Sequence, residues 1–288
     1  MNQAPILSLQ EIEKRLNKQE LPFSGVTELG SAYFNFIEPS FYAATAIHAG
    51  HRIRNELHSA LKISAPDRLR EEDPHTERFL RDFPLQIIAN DSRFEYDINR
   101  ADYRAIYTTP EMAWGLDVWN RTLTAEEMNL SLKKHKEFHQ LLDLLTDYLI
   151  RQNEFGIIFD LHSYNYQREA RLPWFKDPKP AINIGTEAVN RNRFGKILDD
   201  LMDRLKNISI NGHAIPVAEN EVFKGGYLVR RISARNFNQV LTLAIEFKKI
   251  FMDEWSGEVN QAVLEDFINQ FCKVVKEFIR NIEKEGLP

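Results

Sequence analysis

Three short apolar segments along the chain predict the strands of a buried sheet. They are residues 41–49 (FYAATAIHA), 155–161 (FGIIFDL) and 240–245 (VLTLAI), and each is followed by polar or charged residues. Apolar runs of this length, without alternating polar positions, are typical of strands that are covered on both faces. We therefore expect these segments to lie in the interior of one sheet.

Longer amphipathic segments lie between and after these strands and predict helices. Thr124 and Glu127 form a capping box that opens a helix running to about Asn153. A second helix is predicted over residues 194–205. The strongest pattern covers residues 259–282. Its apolar face consists of Val263, Phe267, Phe271, Val274, Val275, Phe278 and Ile282.

The order of these elements predicts one α/β domain over residues 1–288. The sequence contains no internal repeat, no low-complexity segment and no Gly/Ser-rich linker. Buried strands that alternate with long helices predict a mainly parallel or mixed sheet between helices. Ligands of such folds bind beyond the carboxyl ends of the strands. We therefore expect the chemistry where the three apolar segments end.

Composition and charge exclude several classes of partner. The net charge of -5 gives no broad basic surface for nucleic acid. No apolar run approaches the roughly 20 residues that cross a bilayer, and the amino terminus lacks the apolar core of a signal peptide. These features predict a soluble cytoplasmic protein without nucleic-acid or membrane partners, and they leave the oligomeric state open. Because Cys272 is the single cysteine, any metal needs His and carboxylate ligands.

Polar side chains at the strand ends form the candidate site. His48 lies at the end of the first apolar segment, and Glu246 follows the third, where a lone carboxylate is costly unless it is solvated, paired or functional. Asp160 and His162 of the second segment are two residues apart, so they share a face of an extended strand. Between the first two segments lies the acidic run 71–73 (EED). The four clusters together offer imidazole and carboxylate groups to one cleft.

This set of side chains suits a catalytic zinc site. Two histidines and one or two carboxylates leave one position of a tetrahedral zinc open. A carboxylate that does not bind the metal can then move a proton, a role that suits Glu246. Asp160 fits the partner of a histidine better than it fits a ligand. Asp73 also fits the N-cap of a helix beginning at Pro74, and a residue can both cap and bind.

The ordered segments resemble the N-formylglutamate amidohydrolase family, which is similar in fold and site plan to the zinc carboxypeptidases. The matching segments are HAG at His48, EED at 71–73, DINR at 97–100, FDLHS ending at Ser163, GGYL at 225–228 and LAIEFKKIFMDE around Glu246. They cover most of the chain, and their combination is more specific than any one of them. The resemblance implies a zinc-exopeptidase-like fold of the phosphorylase/hydrolase-like type.

The resemblance also implies roles for individual residues. His48 and His162 correspond to the two histidines that bind Zn²⁺. The acidic ligand lies in the EED segment, where Asp73 aligns best and Glu72 is the alternative. Glu246 corresponds to the general base. The expected site is therefore a zinc ion held by two imidazoles and one carboxylate, with a free glutamate beside it.

The implied substrate is a small molecule with a free carboxylate. Asn99 and Arg100 resemble the pair that holds such a carboxylate, and the planar guanidinium of arginine matches a carboxylate with two hydrogen bonds. The implied reaction converts N-formyl-L-glutamate and water to formate and glutamate. Alternatives are hydrolysis of another N-acyl amino acid, a carboxypeptidase-like activity, or a non-catalytic protein that binds metal or carboxylate.

Two features depart from the family pattern. Lys248 and Lys249 follow the segment of the general base, where family members often carry Asn-Arg. The segment 164–180, which includes Arg168 and Arg171, has no clear counterpart.

A second pair of histidines has the spacing of metal ligands on a helix. His135 and His139 are four residues apart in the predicted helix, but Glu137 does not occupy the position of the H-E-x-x-H motif. Because the segment is rich in lysine, we interpret the pair as part of a solvated helix face.

Overall fold

The computed structural model describes residues 4–168 and 172–286, which contain eleven strands and six α-helices. The strands are β1 (Ile6–Leu7), β2 (Phe23–Thr27), β3 (Ala32–Phe36), β4 (Tyr42–Ala46), β5 (Leu85–Ala89), β6 (Gly156–Tyr164), β7 (Ile182–Gly185), β8 (Ser209–Ile210), β9 (His213–Ala214), β10 (Val217–Glu219) and β11 (Val240–Lys248). The helices are α1 (Leu9–Asn17), α2 (Ala65–Glu71), α3 (Ala125–Asn153), α4 (Arg191–Leu205), α5 (Tyr227–Asn236) and α6 (Gln261–Glu285).

Nine of the strands form one mixed sheet in the order β1-β2-β3-β5-β4-β6-β11-β7-β10. Its central strands β5, β4, β6 and β11 are parallel neighbours, whereas β3 and β7 run antiparallel to their inner neighbours. The three apolar segments correspond to β4, β6 and β11, which confirms the predicted interior strands. Three parallel carboxyl ends therefore meet at one edge of the sheet.

Helices cover both faces of the sheet. One apolar core packs α4 and α6 against the strands, and a second packs α1, α3 and α5 against the opposite face. The predicted helices are confirmed, and the capping box of Thr124 and Glu127 opens α3 as expected. The predicted apolar face of α6 is buried from Val263 to Ile282. None of the described helices combines the length and apolar character needed to cross a membrane.

The turn after β4 brings two stretches of main chain into close contact. A β-carbon at Gly50 would lie 2.6 Å from the carbonyl carbon of Asn90 and 2.8 Å from the carbonyl oxygen of Ala89. Only glycine allows this approach, because any side chain would displace the end of β5. Gly50 thus fixes the turn that follows His48 against the neighbouring strand.

We expect Gly50→Ala to lower the free energy of unfolding by about 2 to 3 kcal/mol, because the main chain around Asn90 must shift. Urea unfolding measures this change. Gly195→Ala is the matched control. Its β-carbon would meet only Arg191 at 3.9 Å within α4, so it should stabilise by about 0.5 to 1 kcal/mol. Equal stability of Gly50→Ala and the parent protein would contradict the close approach.

Candidate active site

Three side chains with metal-binding chemistry meet at the carboxyl ends of the central strands. His48 lies two residues beyond β4, His162 lies near the end of β6, and Asp73 lies two residues beyond α2. The Asp73 carboxylate is 2.9 Å from Nδ1 of His162 and 3.4 Å from Nδ1 of His48. All three side chains are buried, and their ligand atoms lie within 4.8 Å of one another. They form a compact nitrogen and oxygen donor set.

The structure brings Asp73, and not Glu72, to the two histidines. The Glu72 carboxylate contacts the His51 ring and the Ser92 hydroxyl on the other side of the chain. Its acceptor atoms are therefore engaged away from His48 and His162. The geometry favours Asp73 as the acidic member of the set.

The interpretation of Asp73 as a helix N-cap is wrong. The next turn of helix is a 3-10 helix over Thr76–Leu80, and its cap position is His75. The Asp73 main chain accepts a 2.7 Å hydrogen bond from the Thr76 hydroxyl and donates a 2.9 Å hydrogen bond to the His48 carbonyl. These main-chain bonds leave the Asp73 carboxylate free to face the two rings.

A second carboxylate contacts the Nε2 atom of each histidine, on the side of the ring away from Asp73. His48 Nε2 lies 2.8 Å from Asp97, and His162 Nε2 lies 2.9 Å from Asp160, which also accepts a 2.7 Å bond from the Thr45 hydroxyl. Each carboxylate favours a proton on Nε2, so the Nδ1 atom, which faces Asp73, is the ring nitrogen that would bind a metal ion after it loses its proton. The geometry thus agrees with the predicted role of Asp160. Asp97 was not predicted as a partner of His48, although it opens the DINR segment.

The surroundings of this group favour positive charge at its centre. Burial alone would raise the pKa of Asp73, but hydrogen bonds from His162 and His48 hold that pKa below its ordinary value. Burial would lower the pKa of His162, yet the nearby charges of Asp160 and Glu246 hold it well above the usual value. Several buried carboxylates therefore surround the two rings.

Glu246 lies opposite His162 in the parallel ladder between β6 and β11. Burial raises the pKa of the Glu246 carboxyl to about 8, the charge of His162 lowers it, and the negative charge of Asp73 raises it. A carboxyl group that titrates near neutrality is suited to taking up and releasing a proton. The structure places it beside the donor set without a hydrogen bond to the three members.

These side chains line a cleft of about 230 Å³. Its wall also includes Arg93, Asn99 and Ser163, and two half-exposed aromatic residues, Trp114 and Phe223, contribute to it. The buried Ser163 hydroxyl has no hydrogen-bond partner among the described residues. The cleft therefore combines the donor set with polar groups able to bind a small polar molecule.

A family model described as N-formylglutamate amidohydrolase matches residues 44–252. The chain belongs to the N-formylglutamate amidohydrolase family. Every member of the donor set, and Glu246, lies inside the matched range. Membership of this family indicates an amidohydrolase.

Solved structures support the fold of this family member. The N-formylglutamate amidohydrolase of Ralstonia eutropha JMP134 is 17% identical, with a TM-score of 0.67, covering 87% of this chain and 99% of that one. A gene product of Agrobacterium tumefaciens is also 17% identical, with a TM-score of 0.57 and coverages of 90% and 97%. No functionally curated protein matches the chain significantly.

Asn99 joins the family's DINR segment to its GGYL segment. Its side-chain oxygen accepts a 2.9 Å hydrogen bond from the Leu228 amide, at the start of α5. A β-carbon at Gly226 would collide with the Asn99 side chain, and Gly225 adopts a φ of +119°. The two glycines thus precede a helix and bring main chain to the edge of the cleft.

The structure places Arg93, and not Arg100, in the wall of the cleft. Arg93 donates to Asp97 at 2.9 Å, and its guanidinium lies 4.8 Å from the centre of the Trp114 ring. Arg100 is not among the residues that line the cleft, and it donates to the Met112 carbonyl at 2.8 Å. The sequence did not single out Arg93 as a residue of the cleft wall, because no matching segment of the family pattern includes it.

The interpretation of the histidine pair on α3 as a solvated face is wrong. His135 and His139 are both buried, with their Nε2 atoms 3.2 Å apart. His135 Nε2 also contacts the Arg100 carbonyl at 2.9 Å, and the Tyr227 ring packs against His139. The pair contacts the DINR segment through the Arg100 carbonyl and is not part of the donor set.

The segment without a counterpart, 164–180, borders the cleft. Arg168 lines the cleft and pairs with Glu71. Arg171 lies outside the described residues. The segment therefore contributes at least one cation to the mouth of the site.

We expect Asp97→Asn to lower the free energy of unfolding by about 3 to 5 kcal/mol at pH 7, because it leaves the buried charge of Arg93 without its partner. Burial would raise the pKa of Asp97, but the charges of Arg93 and His48 hold it well below the ordinary value. A lowered pKa stabilises the fold above about pH 4, and this contribution fades as the pH falls. The loss should therefore be smaller at pH 3 than at pH 7.

Urea unfolding with a chelator present measures this difference without a contribution from bound metal. Asp117→Asn is the control, because Asp117 forms an exposed pair with Lys62 and should change stability by less than about 1 kcal/mol at either pH. An Asp97→Asn loss that is equal at both pH values would refute the assigned charge state.

Proposed function

We propose that the chain is a zinc-dependent amidohydrolase acting on a small N-acyl amino acid, with N-formyl-L-glutamate as the first candidate and formate and glutamate as the products. The observation that carries the proposal is the buried group of His48, Asp73 and His162 with Glu246 beside it in one cleft. Family membership supports the amide chemistry. The name of the Ralstonia eutropha relative supports the choice of substrate.

The donor set fits zinc by its chemistry. Two imidazole nitrogens and one carboxylate oxygen form a usual protein ligand set for catalytic zinc, and the cleft leaves room for a further ligand. In this proposal His48, Asp73 and His162 hold the ion, while Asp97 and Asp160 orient the rings. Zinc in such a site polarises a carbonyl and makes water more acidic.

Glu246 moves the proton in the proposed reaction. Its carboxylate takes a proton from the attacking water and returns it to the leaving nitrogen of the amide. The parallel pairing of β6 and β11 sets Glu246 across from His162, so the base stands beside the donor set. Since Glu246 makes no hydrogen bond with the donor set, its oxygens remain available to the reactants.

Basic residues of the cleft wall bind the substrate carboxylate in this proposal. Arg93 is the first candidate, because it lines the cleft and its charge acts on both Asp73 and Glu246. Asn99 keeps its predicted role at the cleft edge. Arg100, also predicted for this role, is assigned to the support of Asp97, from which its Nε lies 3.5 Å.

Hydrolysis of another N-acyl amino acid is the nearest alternative. The half-exposed rings of Trp114 and Phe223 in the cleft wall favour this alternative, because they offer apolar contacts to a larger acyl group or side chain. A panel of N-formyl and N-acetyl amino acids with acidic and apolar side chains distinguishes the two substrates.

We expect Glu246→Gln to lower kcat for N-formylglutamate by two to four powers of ten, because the amide cannot accept the proton. Zinc content, measured by elemental analysis of the purified protein, should stay at that of the parent. Glu28→Gln, at an exposed position away from the cleft, is the matched control and should keep full activity. A parent protein that binds zinc but hydrolyses no panel member would be the non-catalytic alternative.

Arg93→Lys and Arg100→Lys identify the arginine that contacts the substrate. Loss of the planar guanidinium from the cleft wall should reduce kcat/KM about 100-fold in Arg93→Lys. The reduction of kcat/KM should be less than about 10-fold in Arg100→Lys, because Arg100 is not among the residues that line the cleft. Steady-state kinetics at matched zinc content measure both. A larger reduction of kcat/KM in Arg100→Lys than in Arg93→Lys would assign the substrate contact to Arg100, as the sequence predicted.

A further inference from the structure

Lys249 is a buried lysine in the wall of the cleft. It follows directly after β11, three residues beyond Glu246, and only 1% of its surface is exposed. Its ammonium lies 2.7 Å from the Arg70 carbonyl, 2.7 Å from the Glu72 carbonyl and 3.0 Å from the Asn165 side-chain oxygen. An ammonium group has three donors, and these three oxygens use all of them.

Two of these oxygens belong to the end of α2, where the last carbonyls of a helix lack partners within the helix. Asp73 is the residue that follows. Lys249 therefore binds the carbonyl of the peptide that joins Glu72 to Asp73, and the amide of the same peptide donates to the His48 carbonyl, so both ends of this peptide are fixed. Asn165 strengthens this arrangement, because its amide donates to the Arg70 carbonyl at 2.8 Å.

The charge of Lys249 faces three carboxylates, which belong to Asp73, Glu71 and Glu254. Burial lowers the pKa of Lys249 to about 8, while these carboxylates raise it. The amine is therefore still mostly protonated at pH 7. Its three carbonyl-type acceptors are also those expected for a charged ammonium group.

Lys248 has the same chemistry but holds a different segment. It is also buried, and its ammonium lies 2.7 Å from the Lys179 carbonyl and 2.7 Å from the Asp177 carboxylate. Neighbouring side chains of an extended segment point to opposite sides, which explains the different partners. Lys248 therefore fastens the segment around residues 174–179 to β11, away from α2.

We propose that Lys249 is a positioning residue of the metal site, which holds the turn after α2 so that the Asp73 carboxylate faces His48 and His162. The inference rests on the proposed metal-binding function. Charge alone would predict the opposite effect, because a positive charge near a metal ion weakens metal binding by repulsion. Removal of Lys249 weakens zinc binding if the lysine positions Asp73, and strengthens it if the lysine acts only as a nearby charge.

The test compares Lys249→Met with Lys248→Met in the chain of 288 residues. Competition with a chromophoric chelator gives the zinc affinity, and hydrogen exchange of the metal-free protein gives the local stability of each segment. We expect zinc affinity to fall 10- to 100-fold in Lys249→Met, the range found when groups that orient metal ligands are removed. Exchange should quicken in residues 70–76. Lys248→Met should keep zinc affinity within about threefold and quicken exchange around residues 174–179 instead.

Unchanged or tighter zinc binding by Lys249→Met, with unchanged exchange in residues 70–76, overturns the inference and leaves the proposed function intact. Absence of zinc binding by the parent protein overturns the proposed function and the inference with it.

Lys249→Arg keeps the charge and should bind zinc within about threefold of the parent. If Lys249→Met does not fold, Asn165→Ala removes one acceptor of the ammonium and should weaken zinc binding in the same direction; no change there also overturns the inference.

Discussion

The burial of ionisable groups at the ends of apolar strands is the constraint on which the site depends. His48, His162 and Asp73 have little contact with water, and a buried polar atom without a partner costs about 1 to 3 kcal/mol. Each ring nitrogen consequently has a carboxylate neighbour, with Asp97 and Asp160 on the outer side. The rings are therefore oriented by the fold itself, and a ligand meets a preformed arrangement.

Negative and positive side chains occupy different parts of the site. Carboxylates cluster at the centre, where they make the position between the rings favourable for a cation. Basic side chains lie outside that centre and hold chain segments in place: Arg93 contacts Asp97, and Lys249 binds the carbonyls that follow α2. In the proposed function, this division would let the cleft bind a metal ion and an anionic substrate side by side without direct neutralisation of one by the other.

Local signals explain how much the sequence revealed. The strands β4, β6 and β11 and the long helices carry continuous or periodic apolar patterns, so they and the residues at their ends could be predicted. The strands β2, β3 and β5 are five residues long and are interrupted by Ser, Gly, Asn or Gln, so they carry no such pattern. The bond between His48 and Asp97 joins positions 49 apart and has no local signature. His135 and His139 sit among lysines, and only the packing of α3 beneath Arg100 shows that they are buried.

The nine-residue ladder between β6 and β11 has a consequence for how this protein can change. Because Glu246 and His162 are paired strand residues, their separation is a property of the main chain and not of the loops around the cleft. Deletion of a single residue within β11 would turn Glu246 toward the opposite layer of helices and bring an apolar neighbour into its place. Replacement of residues on the surrounding loops leaves that spacing intact. The lining of the cleft can therefore diverge among relatives while Glu246 and His162 keep their separation.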